Sequence, residues 1–436
     1  MKFYSTNLKS GEVSFKEALL KGQAPDKGLY MPKEIPKFSE KEIENFKNKE
    51  YWEIAFAIIK RFVDNLPDEE LIKICKETYN FPVPLEKVNG KIHLMGLDNG
   101  PTASFKDFAA RMMARLMNYF CAKENKKLTI LTATSGDTGS AVANAFYGSK
   151  NIKMMVLFPK NEVSERQRKQ MTTLGGNVVT IAMDGKFDDC QALVKKAFAD
   201  KDLEKLNLSS ANSINIGRLI PQSVYYFYAY SRIKNEFFSV PSGNFGDLMG
   251  GLLAKNMGLP VNFIVAVNEN DEFPKFLQTG KYMPIKPSKN CLSNAMNVGH
   301  PSNLARLIAL YGGQMDETGK INKIPDMKKI KEDMFATSIT DSETRKTIKE
   351  VYDRYQVILE PHGAVAYAAA EKYEKNKIVC LETAHPAKFP EIIREETGID
   401  PKLPESMKNL EKKKENFIKI ENDYIKFKEF LLKLSL

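Results

Sequence analysis

Cysteine is scarce in this chain of 436 residues, and long hydrophobic runs are missing. The five cysteines are scattered without a C-x-x-C pair, which argues against a disulfide framework and against a thiolate zinc site. No apolar stretch approaches the ~18 residues of a membrane span. The lysine-bearing start of the chain also lacks the pattern of a secretory signal. We therefore predict a cytoplasmic protein with no metal and no membrane association.

Clustered positive charge is missing as well, although the chain is basic overall. It carries 65 Lys and Arg against 55 Asp and Glu, a formal net charge of +10. The two signs are interspersed, and no basic tract with interleaved aromatic residues is present, so we expect no nucleic-acid partner. A basic excess of this kind is also compatible with an anionic small-molecule substrate.

The order of helical and extended patterns predicts the fold class. A chain of this length suggests two or three domains. Residues 1–90 have mostly helical spacing, including a capped helix at 14–20 that ends at Gly22. From residue 91 onward strands alternate with helices, which is typical of βαβ units and parallel sheets. We expect an α/β protein with two open, mainly parallel sheets in domains 91–220 and 221–436, after a mostly helical N-terminal domain. Residues 427, 430, 431 and 434 have helical spacing and predict a docked terminal helix.

One lysine stands out in the stretch GPTASFKDF, residues 100–108. Lys106 follows a Gly-Pro turn, opens a helical segment and lies between Phe105 and Phe108. An amine that is partly desolvated by apolar neighbours can act as a nucleophile near neutral pH. A solvated lysine at a helix start is the simpler interpretation, and this stretch alone favours it.

Three loops downstream follow strands and change that balance. Residues 242–247 (SGNFGD) join a strand to a helix, where glycines and free N–H groups can cradle a phosphate. Residues 135–139 (SGDTG) form a similar junction with two hydroxyls. The first loop matches neither a Walker nor a dinucleotide fingerprint, and an ordinary βα turn remains open for both. Thr383 lies at a strand end, the edge where open α/β sheets bind ligands. Together with a desolvated lysine, these loops would suit a phosphate-bearing aldehyde cofactor.

The chain resembles the threonine synthases, pyridoxal-phosphate enzymes of fold type II, in the longer type that carries an added N-terminal domain. The matching stretches run in family order across nearly the whole chain. They are DKGLYMP, GPTASFKDF, LTATSGDTGSAVANAFYG, TLGGNV, DGKFDDCQALV, SANSINIGRL, SVPSGNFGDLMGGLLAK, SNAMNV, EPHGAVAY and TAHPAKF.

The resemblance implies roles for the residues that match. Lys106 would bind the cofactor aldehyde as a Schiff base, Thr383 would hydrogen-bond the pyridine nitrogen, and Asp137 would face the phenolic oxygen. The residues implied for the cofactor phosphate are Gly243, Asn244, Phe245, Gly246 and Asp247. The residues implied for the substrate carboxylate are Ser135 and Thr138. For the substrate phosphate our candidates are Asn212, Ser213, Asn215 and Arg218, with a surface or interdomain ion pair as the alternative role of the arginine.

The implied activity is a lyase reaction that forms threonine as the last step of its biosynthesis. O-phospho-L-homoserine and water would give L-threonine and phosphate by γ-elimination and β-addition of water. Domain 91–220 would be the substrate side and domain 221–436 the cofactor side, in a monomer or homodimer. The alternatives are another fold type II lyase, such as a serine or threonine dehydratase, and a catalytically silent paralogue.

A few positions depart from the family pattern. Asn99 stands where the longer type often has a histidine, and Lys27 and the Ala103-Ser104 pair are unusual. None of them is among the cofactor anchors, so they bear only on substrate preference. Three histidines in matching stretches are expected to have structural roles: His300, His362 and His385.

Overall fold

Four helices and a small antiparallel sheet form the N-terminal region of the computed structural model, which describes residues 1–134, 136–373 and 377–433. The elements are β1 (Lys2–Ser5), β2 (Val13–Ser14), α1 (Phe15–Lys21), β3 (Tyr30–Pro32), α2 (Glu40–Asn45), α3 (Tyr51–Ile59) and α4 (Asp68–Thr78). The strands pair in the order β2-β1-β3. The predicted capped helix is confirmed. The Ser14 hydroxyl and the Glu17 carboxylate cap each other's N–H groups, and the helix ends at Gly22 with φ of 78°.

Strands and helices alternate through the middle of the chain. The elements are β4 (Leu85–Lys87), β5 (Ile92–Gly96), α5 (Lys106–Lys123), β6 (Leu128–Ala133), α6 (Asp137–Phe146), β7 (Ile152–Pro159), α7 (Glu165–Thr172), β8 (Val178–Met183), α8 (Phe187–Ala199) and β9 (Leu208–Ser209). Short 3₁₀ turns follow and lead into the second half of the chain.

The second half repeats the alternation and ends in a helix. Its elements are α9 (Ser223–Ile233), β10 (Phe237–Pro241), α10 (Gly246–Asn256), β11 (Asn262–Val267), α11 (Glu272–Thr279), α12 (Leu304–Leu310), β12 (Gln314–Met315), β13 (Ile321–Lys323), α13 (Met327–Asp333), β14 (Met334–Ser338), α14 (Asp341–Tyr355), α15 (Pro361–Glu371), β15 (Ile378–Glu382), α16 (Pro390–Thr397), β16 (Ile418–Ile420) and α17 (Tyr424–Lys433). The predicted terminal helix is docked through buried Phe427 and Leu431, and Leu434 lies outside the described residues.

Two sheets carry the α/β part of the fold, as predicted. One has six strands in the order β14-β11-β10-β15-β5-β4, parallel except for the β4–β5 pair. The other has five parallel strands in the order β16-β8-β7-β6-β9. Short antiparallel β12 and β13 pair separately.

The sheets cut across the predicted domain boundaries at two places. β5 lies within 91–220 by sequence but pairs with β15 in the six-stranded sheet. β16 lies within 221–436 but pairs with β8 in the five-stranded sheet. The chain therefore enters and leaves each sheet more than once, and the division at 90 and 220 stays a prediction.

The carboxyl ends of four strands lead into the predicted functional segments. β5 leads into the Lys106 turn, β6 into the SGDTG loop, β10 into the SGNFGD loop, and β15 into Thr383. The carboxyl edge of parallel strands is where open α/β sheets bind ligands. This topology brings segments that are far apart in sequence to one place.

An aromatic cluster joins the N-terminal region to α5. Phe108 is fully buried and contacts the rings of Tyr51, Tyr79, Phe81 and Tyr225, with centroids 5.0–6.1 Å apart. Burying a Phe side chain contributes about 1.5–3 kcal/mol, so this cluster anchors the helix that begins at the key lysine. No helix among the described residues is both long and apolar enough to cross a membrane.

Candidate active site

The turn before α5 is held by the second residue of that helix. Asp107 accepts hydrogen bonds from the Thr102 amide at 2.8 Å and the Thr102 hydroxyl at 2.7 Å. A Cβ on Gly100 would lie 2.4 Å from the same carboxylate, so only glycine fits there. Ala103 has φ of 54°, a left-handed conformation that residues with a side chain rarely adopt. This tightly packed turn fixes the direction from which Lys106 enters the site.

The Lys106 turn is joined to the end of β15 by backbone hydrogen bonds. The Phe105 N–H donates to the Thr383 carbonyl at 2.9 Å, and the His385 N–H donates to the Ala103 carbonyl at 3.1 Å. Lys106 and Thr383, which the sequence assigned to one cofactor, are therefore neighbours in the fold.

The amine of Lys106 is largely removed from water. Its side chain is 12% exposed, and Nζ lies 4.5 Å from the centroid of the Phe105 ring and 3.9 Å from an oxygen of Asp137. Burial lowers the pKa of this amine; Asp137 opposes the shift, and the nearby cations Lys388 and Arg218 reinforce it. Phe108, the other expected neighbour, instead belongs to the aromatic cluster behind the helix. The amine is thus poised to lose its proton more readily than an ordinary lysine.

Asp137 lies between two lysines at the start of α6. Its Oδ1 accepts from the Lys388 ammonium at 3.0 Å and from the Gln167 amide at 2.9 Å. Burial raises the pKa of the carboxyl, but Lys388 and Lys106 outweigh it and hold that pKa well below its usual range. Lys388 was missed from sequence, although it lies in the matching stretch TAHPAKF. It follows a proline in a short 3₁₀ turn, so no periodic pattern marked it as buried.

Behind Thr383 lies a buried carboxylate–histidine pair that the sequence did not single out as a unit. The Thr383 hydroxyl lies 3.3 Å from an oxygen of Glu360, and His362 Nδ1 lies 2.5 Å from the other oxygen. His362 Nε2 accepts from the Ala295 N–H at 3.1 Å, so the Nδ1 proton is the one that faces Glu360. Burial, together with the charge of Glu360, raises the pKa of Glu382 well above its usual range. These contacts fit the structural role expected of His362, which would hold Glu360 in place behind Thr383.

The SGNFGD loop ends at the N-terminus of α10. Phe245 has φ of 58°, and the helix then starts at Gly246, leaving the N–H groups of its first turn directed outward. The Asp247 carboxylate is turned inward, where it accepts from the Tyr225 and Tyr226 hydroxyls at 2.5 and 2.8 Å. Burial raises the pKa of Asp247 to about 6 despite these bonds. The loop therefore offers backbone donors to an anion, with the carboxylate kept away.

Polar side chains join this loop to the segment before Arg218. Ser213 Oγ accepts from the amides of Asn244 at 3.2 Å and Asn303 at 3.1 Å. Asn303 also donates to the Asn244 carbonyl at 2.9 Å, and the fully buried Arg306 donates to the Ser213 carbonyl at 3.0 Å. A Cβ on Gly243 would lie 2.7 Å from the Met296 backbone, so this glycine permits close packing. Sequence reasoning missed Asn303 and Arg306.

Arg218 is a buried cation with few partners. It is 2% exposed, and one guanidinium nitrogen donates to the Ala211 carbonyl at 2.7 Å. Within the described residues its Nε has no hydrogen-bond partner and no carboxylate lies within ion-pair distance. Burial lowers the pKa of the guanidinium to about 10. The described residues therefore contain no ion pair of Arg218, which was the alternative role of this arginine. Its guanidinium still has an N–H group free to bind an anion.

The other predicted substrate residues differ in how free their side chains are. Asn215 donates to the carbonyls of Leu19 and Ser210 and accepts from the Gly217 N–H, so its amide is already in use. Asn212 has a buried Oδ1 with no partner among the described residues. Thr138 lies half-buried in the first turn of α6. Ser135 lies outside the described residues.

The remaining histidines and departures lie in local structural contacts. His300 Nδ1 lies 2.7 Å from the Tyr282 hydroxyl, and His385 accepts the Ala387 N–H at the start of its 3₁₀ turn. Lys27 lies 3.5 Å from a Glu317 carboxylate oxygen. Asn99 donates to the carboxylate of the residue before it at 3.2 Å. These contacts fit structural roles, and an effect of Asn99 and Lys27 on substrate preference stays a prediction.

Comparison with known protein families covers nearly the whole chain. A family described as "Pyridoxal-phosphate dependent enzyme" matches residues 76–383. "Threonine synthase N terminus" matches residues 2–79, and "Threonine synthase, C-terminal" matches residues 363–431.

Individual relatives agree with the family matches. Threonine synthase of Escherichia coli strain K12 is 40% identical over 417 residues, which cover 93% of this chain and 94% of that protein. Threonine synthase of Buchnera aphidicola from Acyrthosiphon pisum is 40% identical over 420 residues, covering 94% of each.

Solved structures show the same likeness in three dimensions. The pyridoxal-phosphate-bound threonine synthase of Brucella melitensis superimposes with a TM-score of 0.93 at 35% identity, covering 100% of this chain and 99% of that one. The Escherichia coli enzyme gives 0.90 at 38% identity, covering 100% of both. A tomato threonine deaminase gives 0.53 at 17% identity, covering 85% of this chain and 100% of that one, a likeness of fold alone. The chain belongs to the threonine synthase family of pyridoxal-phosphate-dependent enzymes.

Proposed function

We propose that this enzyme converts O-phospho-L-homoserine and water into L-threonine and phosphate. It is a lyase of threonine biosynthesis that acts on a small molecule, and its cofactor is pyridoxal 5'-phosphate. The observation that carries the choice of a phosphorylated substrate is Arg218. Among the described residues no carboxylate forms an ion pair with this buried guanidinium, although the charge of Asp107 acts on it, and it is close enough to lower the pKa of Lys106. A phosphate group would supply a counter-ion in direct contact.

The residues present fit the cofactor. Lys106 is a buried amine with a lowered pKa and would hold the aldehyde. The outward N–H groups at residues 243–247, at the start of α10, would hold the cofactor phosphate. Thr383 would meet the ring nitrogen, and Asp137 would lie on the phenolic oxygen side. When bound, pyridoxal 5'-phosphate supplies an electron sink for the bonding electrons released at the substrate's α-carbon.

The chain's own part in the chemistry centres on proton transfer at Lys106 Nζ. A base is most effective when its pKa lies near the working pH. Burial lowers the pKa of this amine toward that range, and the pair of Asp137 with Lys388 keeps a fixed negative charge 3.9 Å away. Lys106 would remove the α-proton of the substrate and return a proton before threonine leaves.

The substrate phosphate would be held by Ser213, Arg218 and Asn212. The Ser213 oxygen already accepts from two amides, so its own hydroxyl proton is free to be donated. Arg218 has an unused Nε–H. Asn212 would donate from its amide nitrogen, because its amide oxygen can only accept hydrogen bonds. Asn215 is left out of this set because its amide is already hydrogen-bonded to backbone groups. Thr138, with Ser135, stays our proposal for the substrate carboxylate.

A steady-state assay of the purified, cofactor-loaded chain tests the proposal. We expect phosphate and L-threonine to form in equal amounts from O-phospho-L-homoserine. Lys106→Ala should abolish turnover, whereas Lys123→Ala, at the exposed end of the same helix, should leave it intact. Formation of a 2-oxo acid from L-threonine or L-serine, without turnover of the phosphorylated substrate, would favour a dehydratase. Absence of both activities in the loaded chain would favour a silent paralogue.

Several broader features remain part of the proposal. We infer a cytoplasmic protein that acts as a monomer or homodimer without a nucleic-acid partner. All five cysteines are buried and free, which suits a reducing compartment. We also keep the division into 1–90, 91–220 and 221–436, with β5 and β16 exchanged between the two sheets.

A further inference from the structure

Lys388 is a second lysine in the site, and its side chain is wholly buried. Its exposed fraction is 0%, and its ammonium lies 3.0 Å from Oδ1 of Asp137, which is itself 2% exposed. Lysine is almost never fully buried unless it is paired. Gln167 donates to the same oxygen at 2.9 Å, so Oδ1 already has two donors.

Lys106 is farther than Lys388 from the same carboxylate. Its Nζ lies 3.9 Å from the other oxygen, Oδ2, which is beyond hydrogen-bond distance. An amine that formed the primary ion pair with Asp137 would hold its proton and would be a poor nucleophile. Because Lys388 and Gln167 bind Oδ1, the negative charge of Asp137 is balanced without a direct bond to Lys106.

The charges that face the two lysines come from several elements. The groups that act on Lys106 are Asp137 on α6, Lys388 on the 3₁₀ turn, Arg218, and Glu360 before α15, and Lys106 in turn acts on Asp247 on α10. The charge of Lys388 also lowers the pKa of three other groups, which are Asp98, Asp107 and His385. Among them, Asp137 is the one in direct contact with Lys388.

We propose that Lys388 is a positioning residue for the reaction, a permanent counter-ion that keeps Asp137 ionised and leaves the amine of Lys106 free to react. The proposal rests on the proposed role of Lys106. Once Lys106 is committed to the cofactor, Lys388 is the cation that remains on Asp137, so the buried carboxylate keeps its charge throughout the reaction.

The titration of Lys106 in the full-length, cofactor-free chain tests this role. Reductive methylation with formaldehyde and cyanoborohydride, quantified by mass spectrometry at each pH, gives the midpoint at which Lys106 becomes reactive. In Lys388→Met that midpoint should rise by about one pH unit or more, because Asp137 then pairs with Lys106. In the double variant Asp137→Asn/Lys388→Met it should return toward the wild-type midpoint. Lys255→Met, which breaks a half-buried ion pair to Asp333 of 3.2 Å, is the matched control and should not move it.

An unchanged Lys106 midpoint in folded Lys388→Met would overturn the proposal. The wild-type chain gives a second test that does not depend on the folding of a variant. Native Lys388 should resist methylation across the range in which Lys106 reacts, and equal labelling of the two lysines would also overturn the proposal. Attachment of the cofactor to another lysine would instead contradict the proposed function, so the two failures are distinguishable.

Discussion

Replacing Arg218 with methionine should stabilise the cofactor-free chain while it weakens turnover. Burial lowers the pKa of this guanidinium from 12.5 to about 10, and a pKa difference of one corresponds to about 1.4 kcal/mol. The folded state therefore bears a penalty of about 3.5 kcal/mol, because the folded chain favours the charged form less than the unfolded chain does. The penalty is constant from pH 5 to 9, since the group stays protonated in both states. Loss of the bond to the Ala211 carbonyl offsets about 1–2 kcal/mol of the gain.

The same substitution should act in the opposite direction on the phosphorylated substrate. Two charge-assisted hydrogen bonds to a phosphate are worth about 1.5–3 kcal/mol each. Their loss corresponds to a fall in kcat/KM of about 10²- to 10⁴-fold. Inorganic phosphate should raise the Tm of the wild-type chain and have a smaller effect on Arg218→Met.

Thermal unfolding in phosphate-free buffer and steady-state phosphate release measure the two effects. The matched control is Arg306→Met, a second fully buried arginine whose pKa burial lowers to about 9. Arg306 donates to three backbone carbonyls and one side-chain amide, so its loss should lower the Tm. If Arg218→Met also lowered the Tm, or kept its kcat/KM, the reasoning from an unpaired buried cation would be refuted.

Two further substitutions test other parts of the account. Burial raises the pKa of Glu272 to about 8. The unfolded chain therefore ionises first, and the wild-type chain loses stability as the pH rises from about 4.5 toward 8. Glu272→Gln should raise the Tm more at pH 8 than at pH 5, and an equal change at the two pH values would contradict the raised pKa. A Cβ on Gly363 would lie 1.7 Å from a Glu382 oxygen, so Gly363→Ala should lower the Tm and impair cofactor loading measured by absorbance. Gly90→Ala, with no atom within 4 Å of its Cβ, is the control, and equal effects of the two would show that the contact does not matter.

The sequence was sufficient to predict the α/β class, the parallel sheets and the strand-end loops. Alternation of strands and helices and glycine-rich junctions are local signals, and each reports the element on which it lies. The SGNFGD loop and Thr383 were singled out because each follows a strand, whereas Lys106 was singled out by its Gly-Pro turn and its phenylalanine neighbours.

Other features could not be predicted, since they depend on contacts between distant segments. Lys388 and Asp137 are in contact although they are 251 residues apart in the sequence, and no local sequence pattern predicts such a pair. Asp247 is conspicuous in the loop, yet its carboxylate turns inward to the hydroxyls of α9. The pairing of β5 and β16 with sheets from other parts of the chain is also a long-range property, which domain boundaries drawn from sequence order do not capture.

The identity of the cofactor-bearing lysine tests the central claim most directly. Borohydride reduces the imine between a lysine and pyridoxal 5'-phosphate to a stable amine, and peptide mapping then locates the label. Lys106 is 12% exposed and lies beyond hydrogen-bond distance of its carboxylate neighbour, whereas Lys388 is wholly buried and ion-paired at 3.0 Å. We expect the label on the peptide that contains Lys106, and a label on Lys388 or on any other lysine would contradict the assignment of Lys106 as the cofactor-bearing residue.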